Sequence, residues 1–172
     1  MVNSAGLSSA RRVLHGSIGV LETKGAIREN WHCYWEKAMR PIPVGTKGVY
    51  VMTITSAHLA NQFKDAILPE VFATPMMVLV LENAALNAIR DFLDPGESAV
   101  GTAINIRHLA ATPVGHRVRG EAEVTSVDGR RIVFDVRAFD EQEEISNGTH
   151  ERMVVDRARF DAKLALKKKA GP

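Results

Sequence analysis

The stretch TPMMVLVLENAALNAIRDFLDPG, residues 74–96, decides the fold. Thr74 offers a capping hydroxyl, Pro75 suits the first helical position and Asp94-Pro95-Gly96 closes the segment, so the spacing predicts a helix over Pro75 to Leu93. At ~1.5 Å of rise per residue it is roughly 28 Å long. Its opening turns, MMVLVL, are apolar on every side, and Ala84, Ala85 and Ala88 follow, which predicts a helix buried all round and approached closely by other backbone. Glu82 sits in the middle of it, between Val78 and Leu86 on its own face. A buried carboxylate must be neutralised or hydrogen-bonded, and desolvation makes it a stronger base, so Glu82 reads either as a satisfied structural acid or as a chemical group.

Downstream the period changes to two. Val100, Thr102, Ile104, Ile106 and His108 alternate with Gly101, Ala103, Asn105 and Arg107, which predicts a strand with one buried face. Val118, Gly120, Ala122 and Val124 alternate with charged residues, and Asp128-Gly129 signals a hairpin into Ile132, Phe134, Val136 and Ala138. A last strand covers about Ile145 to Val155, before a polar tail carrying Lys167, Lys168 and Lys169 that is expected to be solvated. Upstream, Val49 to Thr55 is β-branched and aromatic and reads as the first strand, and the mixed connector Ser56 to Leu68 has the make-up of a lid. One strand, a connector, one long helix and four antiparallel strands make an α+β chain: a curved sheet wrapped around one helix, the hotdog fold. One helix covers one face of such a sheet and leaves apolar surface over, so a homodimer is expected to complete the core.

Composition bounds the rest. With 172 residues, 45% hydrophobic and 24% charged, the chain can build one core without disulfides or structural metal. A net charge of +2 with mixed signs argues against a nucleic-acid partner. The lone Cys33 forms no internal bridge and suits a reducing compartment, with the cytoplasm favoured. The longest apolar run, Met76 to Leu81, is far short of the ~20 residues that span a bilayer, so no membrane partner is expected. Residues 1–43 form a separate N-terminal extension, with residues 44–172 as the domain. The extension is Arg- and Ser-rich and has no acid before Glu22; an organellar transit peptide and a solvated terminus both fit, and Ile27, Trp31, Tyr34, Trp35, Ala38 and Met39 recur at helical spacing. His150-Glu151 lacks the second histidine of a zinc-protease helix, since Val154 occupies that place, and neither a GxGxxG fingerprint nor a P-loop occurs. No metal and no redox cofactor is indicated.

Three residues carry the candidate chemistry. His108 ends the apolar stripe of its strand, and together with Glu82 it would make an acid/base couple near neutral pH. Thr74 is explained as a helix cap. If Thr74 also acts, eight residues of helix put it ~12 Å from Glu82, too far to serve one reacting atom, so the two would come from different subunits.

LPEVFAT at 68–74, Glu82, GTAINIRHLAATPVG at 101–115, VDGRR at 127–131 and NGTHER at 147–152 together resemble the fluoroacetyl-CoA thioesterase family of hotdog proteins. The likeness runs from about Val44 nearly to the C-terminus. It implies a homodimer that hydrolyses short acyl-CoA thioesters, with coenzyme A as part of the substrate and no further cofactor, and it implies Thr74, Glu82 and His108 as the catalytic residues. In that family's manner Glu82 would attack the thioester or activate water, His108 would manage protons, Thr74 would hydrogen-bond the reacting groups, main-chain N–H near Gly101 would stabilise an oxyanion, and Arg152 would support the site or bind substrate. One departure bears on substrate: Asp65 and Leu68 stand where the fluoroacetyl-specific enzyme has lid phenylalanines, which implies a wider short to medium acyl range. A hotdog hydratase would need its own aspartate and histidine motif, which is not found, and a non-catalytic acyl-CoA binding module would have no use for an intact Thr74, Glu82 and His108.

Overall fold

The computed structural model describes residues 39–169. In chain order these form β1 (Lys47–Thr53), a short helix α1 (Ala60–Phe63), the long helix α2 (Thr74–Ile89), β2 (Glu97–His108), β3 (Arg117–Asp128), β4 (Arg131–Phe139), β5 (Glu144–Asp156) and α3 (Arg157–Lys169). All five strands pair antiparallel in one sheet, in the order β1-β3-β4-β5-β2, so β1 and β2 are its edges. The sheet curls around α2, as the hotdog reading requires. The extension's predicted helix lies outside the described residues apart from Met39, which packs against the core. Ile42 is buried and Arg40 pairs with Asp94 at 3.0 Å, so packing of the domain begins ahead of Val44.

The helix packs where its small residues allow it. A Cβ on Gly48 of β1 would lie 2.3 Å from the Ala84 carbonyl oxygen, and one on Gly120 of β3 would lie 2.6 Å from Val80 Cγ1. Helix backbone therefore rests directly on the sheet, which fills the interior without a second layer. Met77, Val80, Leu81, Ala84, Ala85, Ala88 and Ile89 form the buried stripe against Val118, Ala122, Phe134 and Val136. Each larger side chain in this core contributes about 1.5–3 kcal/mol by leaving water.

Three expectations are corrected. The helix ends at Ile89 and passes into a 3-10 turn, Arg90–Phe92, which carries the chain on towards Pro95. It is not buried all round in one chain: Pro75 and Leu79 are exposed, and Val78, Glu82, Asn83 and Leu86 are half-buried along one side. The sheet covers that side only in part, meeting it where Glu82 reaches Gly101 of β2. The polar tail is solvated, as expected, and forms a helix, α3, whose residues are all exposed, Phe160 and Leu164 included.

The third correction concerns β2. A β-bulge between Gly101 and Ala103 shifts its register on β5, so Gly101 pairs with Arg152 whereas Ile104 pairs with His150. The extra residue exchanges the faces. Ala99 and Gly101 before the bulge lie on the helix side together with Ile104, Ile106 and His108 after it, instead of Val100 and Thr102.

Candidate functional site

Two clusters of polar side chains lie on the inner side of the sheet, one at the His108 end of β2 and one at Gly101, nearer its start. The first joins Thr74 and His108. The N-cap of α2 is Ala73, and Thr74 is already the first helical residue, so its hydroxyl does not cap the helix. It lies 3.0 Å from His108 Nδ1, within hydrogen-bonding distance. The capping role expected of Thr74 thus gives way to a bond with a residue 34 positions away. Burial holds the His108 pKa below the ordinary histidine value, and a main-chain hydrogen bond at Ala110 partly opposes this. Burial thus favours the neutral ring, the form that can accept a proton. It opens onto a shallow hollow of about 240 Å³ lined by Val71, Leu109, Ala110 and Ala111.

The walls of this cluster are tied together by main chain. Phe72 N–H donates to the Thr112 carbonyl at 2.8 Å, Ala73 N–H to the His58 carbonyl at 3.0 Å, and Leu109 N–H to the Ile145 carbonyl at 2.8 Å. Thr112 is fully buried and its hydroxyl donates to Asp140 Oδ2 at 3.1 Å. The connector expected to act as a lid is anchored by an isolated bridge between Leu59 and Phe72. Its outer part is open: Phe63 and Ile67 are exposed, and Asp65 Oδ1 accepts the Ile67 N–H at 2.9 Å.

The second cluster is built around Gly101. A Cβ there would lie 2.5 Å from Glu82 Oε1 and 3.2 Å from His150 Cε1, so only glycine lets the helix carboxylate and the histidine reach the strand together. Arg152 enters from β5 and is only 6% exposed. Its guanidinium does not grip the Glu82 carboxylate; Nη1 donates to the main-chain oxygen of Glu82 at 3.0 Å and Nη2 to that of Ala99 at 2.8 Å. Arg152 thereby fastens α2 to β2 and leaves the carboxylate beside Gly101. Burial lowers the Arg152 pKa, and the Glu82 charge opposes that shift, so the two are electrostatic partners without a direct bond.

The two clusters do not meet within one chain. His108 and Gly101 are separated by seven residues of strand, roughly 20 Å. The structure thus brings His108 to Thr74 and not to Glu82, and the couple expected between Glu82 and His108 is absent inside a single chain.

His150 is the site residue that sequence reading missed. In the sequence it stands out only as half of a zinc motif, although Ser146, Gly148, His150, Arg152 and Val154 alternate onto the inner face of β5 and the period itself places it beside Arg152. Among the described residues no group of three or more His, Cys, Asp and Glu could hold a metal ion, and no helix is long and apolar enough to cross a membrane.

Comparison with known proteins identifies the family. Residues 54–158 match the family described as fluoroacetyl-CoA-specific thioesterase. The fluoroacetyl-CoA thioesterase of Streptantibioticus cattleyicolor is 48% identical over 118 residues, covering 68% of this chain and 85% of that protein. A solved structure of the fluoroacetyl-CoA thioesterase superposes with a TM-score of 0.70 at 39% identity, over 74% of this chain and 98% of the other. The crystal structure of a hypothetical protein of Thermus thermophilus, a thioesterase superfamily member, gives a TM-score of 0.73 at 31% identity, over 77% and 97%. The matched segment holds Thr74, Glu82, Gly101, His108 and Arg152, and on that match the chain belongs to the fluoroacetyl-CoA-specific thioesterase family.

Proposed function

We propose that this chain hydrolyses short to medium acyl-CoA thioesters to the free acid and CoA, as a homodimer whose sites are shared between copies. Thr74 and His108 from one copy act with Glu82, Gly101 and Arg152 from the other, and coenzyme A arrives as part of the substrate, with no other cofactor. The observation that carries the reading is the separation of the two clusters: each holds half of what thioester hydrolysis needs. The surfaces that a second copy would cover are also the open ones. The side of α2 that carries Glu82 exposes Leu79 at 38%, and β2 is a twelve-residue edge strand with an unpaired side, a ready template for its own symmetry mate.

The chemistry follows from residue types. The Glu82 carboxylate either attacks the thioester carbonyl, forming a mixed anhydride that water then cleaves, or deprotonates the attacking water. Main-chain N–H beside Gly101 meets the developing oxyanion, with the buried charge of Arg152 behind it. Sulfur leaves as the thiolate or takes a proton managed by His108, whose orientation the Thr74 hydroxyl sets. Water supplies the hydroxyl of the acid and the proton of the thiol, so the reaction balances without an oxidant or reductant.

The acyl range is argued from the connector. Asp65 is spent on a local main-chain bond, Leu68 is half-buried and Phe63 is exposed, so among the described residues the connector lays no aromatic side chain over His108, which favours a range wider than fluoroacetyl-CoA. We place the enzyme in a reducing compartment, the cytoplasm. Release of CoA thiol from a panel running from acetyl- and fluoroacetyl-CoA to phenylacetyl- and medium-chain CoA tests the reading. Turnover of acetyl and longer esters at comparable kcat/KM is expected. Tight binding of the esters with no thiol release would contradict hydrolysis and make the protein a binding module.

A further inference from the structure

His150 is fully enclosed, yet both its ring nitrogens are engaged. Nδ1 lies 2.8 Å from the Ala103 carbonyl oxygen, and Nε2 lies 3.3 Å from Arg152 Nη1. A carbonyl only accepts and a guanidinium only donates, so Nδ1 must carry the proton and Nε2 must be bare. The ring also stacks on Phe134, with centroids 6.1 Å apart and planes 26° from parallel, which fixes its tilt. Its Cε1 edge faces the space above Gly101, where Glu82 Oε1 also points. Ala103 closes the bulge of β2 that begins at Gly101. One imidazole thus holds the far side of the bulge through Nδ1 and the guanidinium through Nε2.

We infer that His150 is a positioning residue for the hydrolysis proposed above, pinning the Gly101–Ala103 bulge and aiming Arg152 so that main chain and charge converge on the reacting carbonyl. The inference rests on that reading of the function. A bulge leaves its extra residue, Thr102, outside the ladder, so a side-chain bond to the far side of the bulge helps fix where the register slips. Without the Nδ1 bond the bulge could slide by one residue, and the face exchange that brings Gly101 to Glu82 would be lost. Without the Nε2 acceptor, Arg152 keeps its two carbonyl bonds but not its third restraint. Burial keeps the His150 pKa below the ordinary value, and the nearby charge of Arg152 acts the same way, against the opposing influence of the Ala103 bond, Glu82 and Glu151. Phe134 from β4 and Ala103 from β2 bring no charge to the ring.

The test compares wild type with His150→Phe, which keeps the stacking and removes both bonds, and with His150→Asn, whose amide N–H can still reach the Ala103 carbonyl. Acetyl-CoA hydrolysis, thermal stability and the histidine ring signals of 15N-labelled full-length protein at pH 7 are measured for each. The expected result is a fall in kcat of about 100-fold for His150→Phe and about tenfold for His150→Asn, with KM changed by no more than about threefold. Wild type should show one Nδ1-protonated neutral ring that both variants lack. Variants that melt earlier but turn over at the wild-type kcat would overturn the inference and make His150 a core residue only. So would a wild-type His150 protonated at Nε2 or at both nitrogens, a readout that stands even if His150→Phe does not fold. Wild type that releases no thiol from any ester would instead overturn the proposed function, which distinguishes that failure from the first.

Discussion

Glu82→Gln is expected to lower kcat by about 10²–10⁴-fold, the range over which a positioned base or nucleophile acts, while the protein remains folded. The amide keeps the shape beside Gly101 and the main-chain oxygen that receives Arg152, so neither the helix nor its fastening to β2 changes. What is lost is the negative charge. Arg152 then keeps a buried guanidinium with less compensation, and a modest fall in melting temperature should accompany the loss of activity. Single-turnover measurement of thiol release by the folded variant separates the two effects. Wild-type turnover by Glu82→Gln would remove Glu82 from the chemistry and leave it as the electrostatic partner of Arg152.

Gly101→Ala tests the same centre from the strand side. Its methyl would meet Glu82 Oε1 at 2.5 Å and His150 Cε1 at 3.2 Å, so at least one must move. The carboxylate is the end of a flexible side chain and yields first, which makes the substitution tolerable for folding and damaging for chemistry. A shift of ~1 Å in a reacting group costs about 100-fold, and that is the fall in kcat expected here, with the ester still bound. Gly120→Ala is the control, because its Cβ would meet Val80 Cγ1 and the Val80 main chain instead, and it should cost stability without a specific loss of kcat.

The sequence was legible where periodicity and punctuation speak. Pro75, the Asp94-Pro95-Gly96 stop and the alternation from Val118 to Ala138 placed the helix and the β3–β4 hairpin, because local sterics decide those features. The bulge in β2 left no such mark. Gly101-Thr102-Ala103 fits either face, and only pairing with β5 shows where the register slips. The long connection from Thr74 to His108 was equally hidden, since a threonine before a proline reads as a cap until its partner arrives from another element. Glu82 announced itself because a carboxylate within an apolar helix is anomalous in one dimension. His150 did not, because one histidine among polar strand residues is ordinary until its burial is known. The open side of α2 explains the remaining error: a helix apolar all round looks fully buried in sequence, whereas one chain supplies cover for only part of it.

Subunit complementation tests the shared site most directly. On the proposed shared site, a Thr74→Ala/His108→Ala chain and a Glu82→Gln chain are each expected to be inactive as homodimers, because each would lack one half of both sites. Unfolded together in equal amounts and refolded, half of the dimers should be mixed, and each mixed dimer should regain one intact site of two. Recovery of about a quarter of the wild-type activity per chain is therefore expected from a two-fold symmetric pair. No recovery, from a mixture shown by mass spectrometry to contain mixed dimers, would contradict a site built from Thr74 and His108 of one copy and Glu82 of the other.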